Sequence, residues 1–331
     1  MEHFSLYHED VPQILLACMQ APCLRRLKGV GMNCGCEYTS FPRFAGLSPY
    51  TRFDHSVGVG LIVWHFTHDP KQAVAGLLHD VASPVFAHVV DFLRGDYLTQ
   101  ESTEDGTEAI IAHDAVLRSV FRENGIDVSD VSDYHRYPIA DNDSPKLSAD
   151  RLEYTLGNLL NYRIRTPEQV KAIYDDLTVS VNETGEPELA FPTAALAEDF
   201  TLASLVCSKI YVSDEDRYAM QMLSEVLRLA LNGGVLSEAD LYATEPVVIE
   251  KLLSDAETAA AWKRFCAFRK MRRADAPDGK DEWRRIAAKK RYIDPLIAEV
   301  GRVSACCPRV RGEIDAFLSD PQTQWIAADE S

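Results

Sequence analysis

A chain of 331 residues, 46% hydrophobic and 26% charged, has the composition of a globular protein with ample core and not of a disordered one. Its net charge of −17 argues against nucleic acid as a partner, because the chain as a whole repels a polyphosphate backbone. Apolar runs such as "LIVWHF" are far shorter than the roughly 20 residues a membrane helix needs, so no membrane partner is expected. In chain order, "VPQILLACM" and "CLRRLKGVGM" predict short amphipathic helices, followed by a Gly-, Cys- and Pro-rich connection through "FPRFAGLSPY". "SVGVGLIVWHFTH" and "PKQAVAGLLHDVA" predict two apolar helices, the second with Pro70 in its first turn. "GTEAIIAHDAVLRSVFREN" reads as one helix ended by Asn124-Gly125, and "SPKLSADRLEYTLGNLLNY" as another with Ser or Asp as cap.

"LTVSVNETGEPELAF" alternates apolar and polar residues around a turn, which predicts a small β-hairpin. From "FPTAALAEDF" onward the pattern is helical again. The expected fold is therefore mainly α with that one hairpin. Asn232-Gly233-Gly234 is the candidate boundary, giving a front unit at 1–232 and a helical C-terminal extension at 233–331, packed on or beside it. Residues 263–291 hold 12 of the 34 basic residues and four acids, and predict two solvated helix faces or an anion or partner site. The N-terminus "MEHFSLYHED" lacks a secretory pattern, and eight cysteines without C-x-x-C spacing fit reduced thiols, so a cytoplasmic location is expected.

The chemistry-bearing residues are His55 in "TRFDHSVGVG", His79 and Asp80 in "LLHDVAS", and Asp150 in "LSADRLEY". Adjacent His and Asp cannot share one face of a regular helix. Pro84 disfavours helix at Ser83, so the helix can end near His79 and let both side chains turn to one centre. Two imidazoles and two carboxylates suit one divalent ion: Mn, Fe, Ni, Co, Zn or Mg.

The order H…HD…D resembles the HD-domain phosphohydrolase superfamily. With its flanks "RFDHSVGV", "HDVASPVFAH" and "ADRLEY", it is most similar to the deoxynucleoside triphosphate triphosphohydrolase-like branch. The resemblance extends over roughly residues 20–255. It implies a helical HD core in which His55, His79, Asp80 and Asp150 hold one divalent metal, and hydrolysis of a nucleotide or related phosphate ester. It gives Asp80 the attacking water to orient or deprotonate, Arg52 a phosphate to clamp, and His88 the role of general acid. Arg151 and Tyr154 would contact substrate. The residue-level alternatives are a salt bridge of Arg52 with Asp54 and structural packing for His88 and Tyr154. Relatives in this branch are commonly oligomers, which makes a homo-oligomer an expectation.

The chain departs from the pattern at Ser83, at Thr103 beside Glu104, and at Gly157-Asn158, where the triphosphohydrolases carry His, His and an R-D pair. Those departures favour a substrate other than a triphosphate. The C-terminal part offers only Arg217 and Lys209 toward a phosphate grip. Two other readings stay open: a two-iron oxygenase or dinucleotide hydrolase, which needs further histidines such as His88, His113 or His135, and a non-catalytic nucleotide-binding scaffold.

Overall fold

The computed structural model describes residues 6–95, 106–277, 279 and 282–329. The protein is mainly α, and its helices gather around two apolar clusters. One cluster includes Leu61, Leu77, Leu152, Leu156 and Phe200, together with Ile293, Val310 and Ile314 from the C-terminal part. The other joins Phe41, Phe86 and Val89 to Tyr218, Leu223, Leu227, Trp262 and Ile326. Residues beyond 232 thus contribute to both.

Two helices carry the front of the molecule. The Arg52–Thr67 helix begins at Thr51, where the threonine hydroxyl accepts from the Asp54 amide at 3.2 Å while the Asp54 carboxylate accepts from the Thr51 amide at 3.0 Å. This reciprocal cap satisfies donors that a helix start leaves open. It also engages Asp54, so the Arg52–Asp54 salt bridge is not formed. The Pro70–Leu78 helix starts at Asp69, which accepts from the Lys71 and Gln72 amides. The two pack at close range because both contribute glycine. A Cβ on Gly76 would lie 3.2 Å from side-chain atoms of Val59 and Val63, and one on Gly60 would lie 3.1 Å from Leu77.

The segment 106–125 corrects the single helix expected there. Helices Thr107–His113 and Ala115–Asn124 are separated by Asp114, whose carboxylate caps the second by accepting from Val116 and Leu117. A capping Asp competes with the continuous helix that periodicity alone suggests. The terminal Gly125 takes the expected left-handed conformation.

The hairpin forms as expected from β1 (Thr178–Val181) and β2 (Pro187–Phe191), paired antiparallel. The rear is less helical than expected. After the Ala194–Tyr211, Asp214–Asn232, Glu245–Ser254 and Ala256–Ala267 helices come β3 (Lys270–Ala274), β4 (Leu296–Ile297), β5 (Gly301–Arg302) and, beyond the Pro308–Ser319 helix, β6 (Trp325–Asp329). Strand β4 adds parallel to β2 and β5 extends the sheet in the order β1-β2-β4-β5, while β3 pairs with β6. Among its described residues, the basic segment 263–291 is therefore a helix end, a strand and an extended stretch, and not two helices. Its helix stops at Phe268, where the apolar pattern turns into the basic run "RKMRR" that pairs with the C-terminal "WIAAD". Among the described residues no helix is long and apolar enough to cross a membrane.

Candidate metal centre

The Pro70–Leu78 helix stops where Pro84 implied. His79 is its C-cap, and residues 79–82 form a turn closed by the Ser83 amide donating to the Asp80 carbonyl at 2.9 Å. Arg26 holds this turn from outside, donating to the carbonyls of Val81 at 3.0 Å, Ser83 at 2.6 Å and Ala243 at 3.1 Å. His55, one turn into its own helix, meets His79 with the two Nε2 atoms 3.2 Å apart. Ligand atoms of His55, His79 and Asp80 all lie within 4.8 Å of one another. Asp150, in the first turn of the Ala149–Asn161 helix, brings Oδ1 to 3.0 Å from His55 Nε2 and 3.7 Å from His79 Nε2. The four residues singled out in the sequence thus converge.

Their orientation is set from behind. His79 Nδ1 lies 2.7 Å from the Gly76 carbonyl, which can only accept, so Nδ1 carries the proton. His55 Nδ1 lies 2.6 Å from Glu153 Oε2. With both Nδ1 positions donating, both Nε2 lone pairs point at the same spot as Asp80 and Asp150, an arrangement that repels itself without a positive charge between. That donor set fits a divalent cation held by imidazole nitrogen and carboxylate oxygen, with hydrogen-bonded groups fixing the ring tautomers. Without a cation, a proton serves. Burial works against it, yet the hydrogen bonds to Asp150 and Glu153 prevail and push the His55 imidazole up to about 10.

Glu153 is the functional residue that sequence reading missed. It is fully buried and accepts from Tyr7 Oη at 3.1 Å, from Tyr50 Oη and from His55. Its spacing from Asp150, three residues on the same helix, was the available signal, since both carboxylates then share a face. Gly58 makes room for it, because a Cβ there would fall 2.5 Å from the Glu153 side chain. Gly157 likewise lies against Tyr50, where a Cβ would come 2.6 Å from the hydroxyl, so the position that holds a charged residue in the triphosphohydrolase pattern has no room for one here.

Arg52 is buried and donates from Nη1 to Asp80 Oδ2 at 2.6 Å, while its Nε has no partner among the described residues. Ser83 donates to the other Asp80 oxygen at 2.8 Å. Burial opposes ionisation of Asp80, but Arg52 and then the two histidines outweigh it and hold the carboxyl far below its usual range. His88 follows Phe86 and Ala87, both at positive φ, and its Nδ1 lies 2.9 Å from Asp91 Oδ2. Burial foremost, with the charges of Arg291 and Arg52, keeps its imidazole below the ordinary value against the pull of Asp91. The Tyr154 ring centroid is 6.4 Å from that of His55.

Arg151 is directed elsewhere. Its guanidinium donates to the Lys146 carbonyl at 2.7 Å and to Asn142, and pairs with Asp141 at 3.1 Å, so it braces the loop leading into the Asp150 helix. Arg217 is buried on the Val212 and Ile286 carbonyls and on Asp214, and Lys209 pairs with Glu313 on the surface. His113 is bonded to the Ala109 carbonyl on its own helix, and His135 to Asp141. Among the described residues, His55, His79 and Asp80 form the one group of three or more candidate ligands within that distance limit. Thr103 and Glu104 lie outside the described residues.

The chain is 25% identical over 232 residues to Metal-dependent phosphohydrolase cns2 of Cordyceps militaris, across 64% of this chain and 58% of that one. It is 26% identical over 205 residues to Uncharacterized protein YdhJ of Bacillus subtilis, across 61% of each. No family model matches the chain. The chain spans roughly three fifths of the length of both relatives. The named relative and the His/Asp cluster together fit a metal-dependent hydrolase with a divalent ion.

Proposed function

We propose that this protein is a metal-dependent phosphohydrolase acting on a nucleotide or related phosphate ester, built like the triphosphohydrolase branch but without its triphosphate-handling histidines. The observation that carries the reading is the convergence of the His55 and His79 Nε2 atoms with Asp80 and Asp150, imposed by Glu153 and the Gly76 carbonyl behind the rings. His55, His79, Asp80 and Asp150 would hold the cation, which when bound polarises a phosphoryl oxygen and lowers the pKa of water.

The chain's own groups then divide the work. Asp80, placed to touch both cation and water, would orient that water or take its proton. Arg52, its plane fixed through Nη1 by Asp80, would clamp a substrate phosphate with the rest of its fork. His88, oriented by Asp91, would act as general acid toward the leaving oxygen, with burial first and then the charges of Arg291 and Arg52 making it a readier proton donor. Tyr154 supplies a face against which a base or sugar packs. Ser83, bonded to Asp80, stands where the triphosphohydrolases have a histidine, which favours a monophosphate or diester over release of a triphosphate.

The test is phosphate release from nucleotides and simple phosphate esters by the full chain, with Mn²⁺, Mg²⁺, Fe²⁺, Co²⁺, Ni²⁺ or Zn²⁺ supplied and bound metal counted by elemental analysis. Turnover should fall by about a thousandfold in His79→Ala and Asp80→Ala. Tight nucleotide binding without turnover would favour the scaffold reading, and two metals per chain the two-iron one.

A further inference from the structure

Two histidines outside the candidate metal centre face each other across the same gap as the two inside it. His8 Nδ1 lies 3.2 Å from His65 Nδ1, and His55 Nε2 lies 3.2 Å from His79 Nε2. The His8 and His65 rings stand at 80° with centroids 5.4 Å apart, so they meet edge-on and do not stack. A proton shared by two neutral rings would put these nitrogens at the long limit of a hydrogen bond, and at an exposed position it would contribute little. Two nitrogens bound to one tetrahedral ion at roughly 2.0–2.1 Å are about 3.3 Å apart, a separation that the pair nearly reproduces.

Neither ring is free to drift. His65 stands near the end of the Arg52–Thr67 helix, and its ring packs against Phe66 at 4.8 Å and Tyr174 at 5.7 Å between centroids. His8 follows Tyr7, which is fully buried. The Tyr174 hydroxyl donates to the Tyr7 carbonyl at 2.8 Å, and the two tyrosine rings meet edge to face at 5.4 Å. Tyr174 thus holds both sides of the pair. His8 is half-buried and His65 exposed, so an ion can reach them from solvent and complete its shell with water. The exposed Glu9 and Asp10 beside His8, in a chain of net charge −17, favour a cation there.

We propose that His8 and His65 form a second site for a divalent transition ion such as zinc, which latches the N-terminal segment to the helix that carries His55. The latch bears on the candidate centre through Tyr7, whose hydroxyl donates at 3.1 Å to Glu153, the carboxylate behind His55. His55 and His65 are about 15 Å apart along their shared helix, so the two ions would not touch and the coupling runs through the buried tyrosine. With two protein ligands the latch binds its ion more weakly than a four-ligand centre. It does not depend on the phosphohydrolase reading.

The experiment titrates Zn²⁺ by calorimetry into the full chain after metal has been removed by chelation, and two equivalents should bind. His8→Ala and His65→Ala should each raise the Kd of the weaker equivalent by about tenfold or more and leave the tighter one within about twofold. The retained tighter equivalent shows that each variant has folded. His79→Ala should do the reverse, and His113→Ala, an exposed histidine bonded to its own helix, should change neither. With Zn²⁺ saturating, backbone hydrogen exchange over residues 6–12 should be about threefold or more faster in His65→Ala than in wild type. A wild-type chain that binds one equivalent, or a second equivalent that survives in both variants, would overturn the site. Equal exchange in the two proteins would overturn the latch. A second equivalent lost in His65→Ala belongs to this pair and not to a two-iron centre, so either result leaves the hydrolase reading to its own test.

Discussion

The candidate ligand cluster at the front and the rear of the chain solve the burial of charge in opposite ways. At the front, three of the four candidate ligands are backed by a dedicated neighbour: Glu153 behind His55, the Gly76 carbonyl behind His79, Ser83 and Arg52 beside Asp80. At the rear, cations are placed on backbone carbonyls and single carboxylates, as with Arg217 and Lys290, and serve to fix the path of the chain. The lesson is that a buried charge is informative by what it lacks. Arg217 and Arg151 have their donors filled by protein and act as braces, whereas the buried Arg52 Nε has no partner among the described residues.

Four experiments bear on that contrast, the largest effect first. Arg217→Ala strips a buried brace and leaves the Ile286 carbonyl and part of Asp214 unmatched, so it should cost about 3 kcal/mol in chemical denaturation. Phosphate release measured well below the unfolding midpoint should persist, which separates the rear brace from the front chemistry. Glu153→Gln keeps the volume and removes the charge behind His55. Metal affinity, read by titration, should fall about 10- to 100-fold with the fold retained.

The third turns on pH. The His55 imidazole of the metal-free protein sits near 10, above its ordinary 6.5, so its proton stabilises the fold fully below about 6.5, and that contribution is lost as pH rises toward 10. A cation must expel the same proton. Metal affinity should therefore climb by about tenfold per pH unit between those limits and level off above them, with close to one proton released per ion near pH 8 in calorimetry across buffers. A flat affinity profile would show that His55 is already neutral. The smallest effect belongs to Lys209→Ala, whose exposed pair with Glu313 should change stability by less than about 0.5 kcal/mol and turnover not at all.

Much of the site is legible in the sequence. His79 and Asp80 could be read because a helix stop is a local event, written in Pro84, and the hairpin because its alternation and turn are contiguous. Asp150 needed the resemblance of its flanks, since nothing near it says that its carboxylate meets residues about a hundred positions earlier. The break at Asp114 was hidden because periodicity continues straight through it, while the capping carboxylate that interrupts it looks like any surface acid. Tyr7, Tyr50 and Arg26 were invisible for a different reason: their partners are distant in sequence, and a buried hydroxyl or a surface-looking arginine carries no mark of that. The irregular course of residues 285–295 escaped because a segment without periodicity predicts only the absence of a helix.

One arginine ties these regions together. Arg26 serves carbonyls in the turn that presents Asp80 and, through Ala243, a stretch far along the chain. Loosening either side frees the same guanidinium, so heat that detaches the rear also unseats the carboxylate at the front. Loss of activity on warming should then track global melting point for point, with no interval in which a folded but inactive species accumulates.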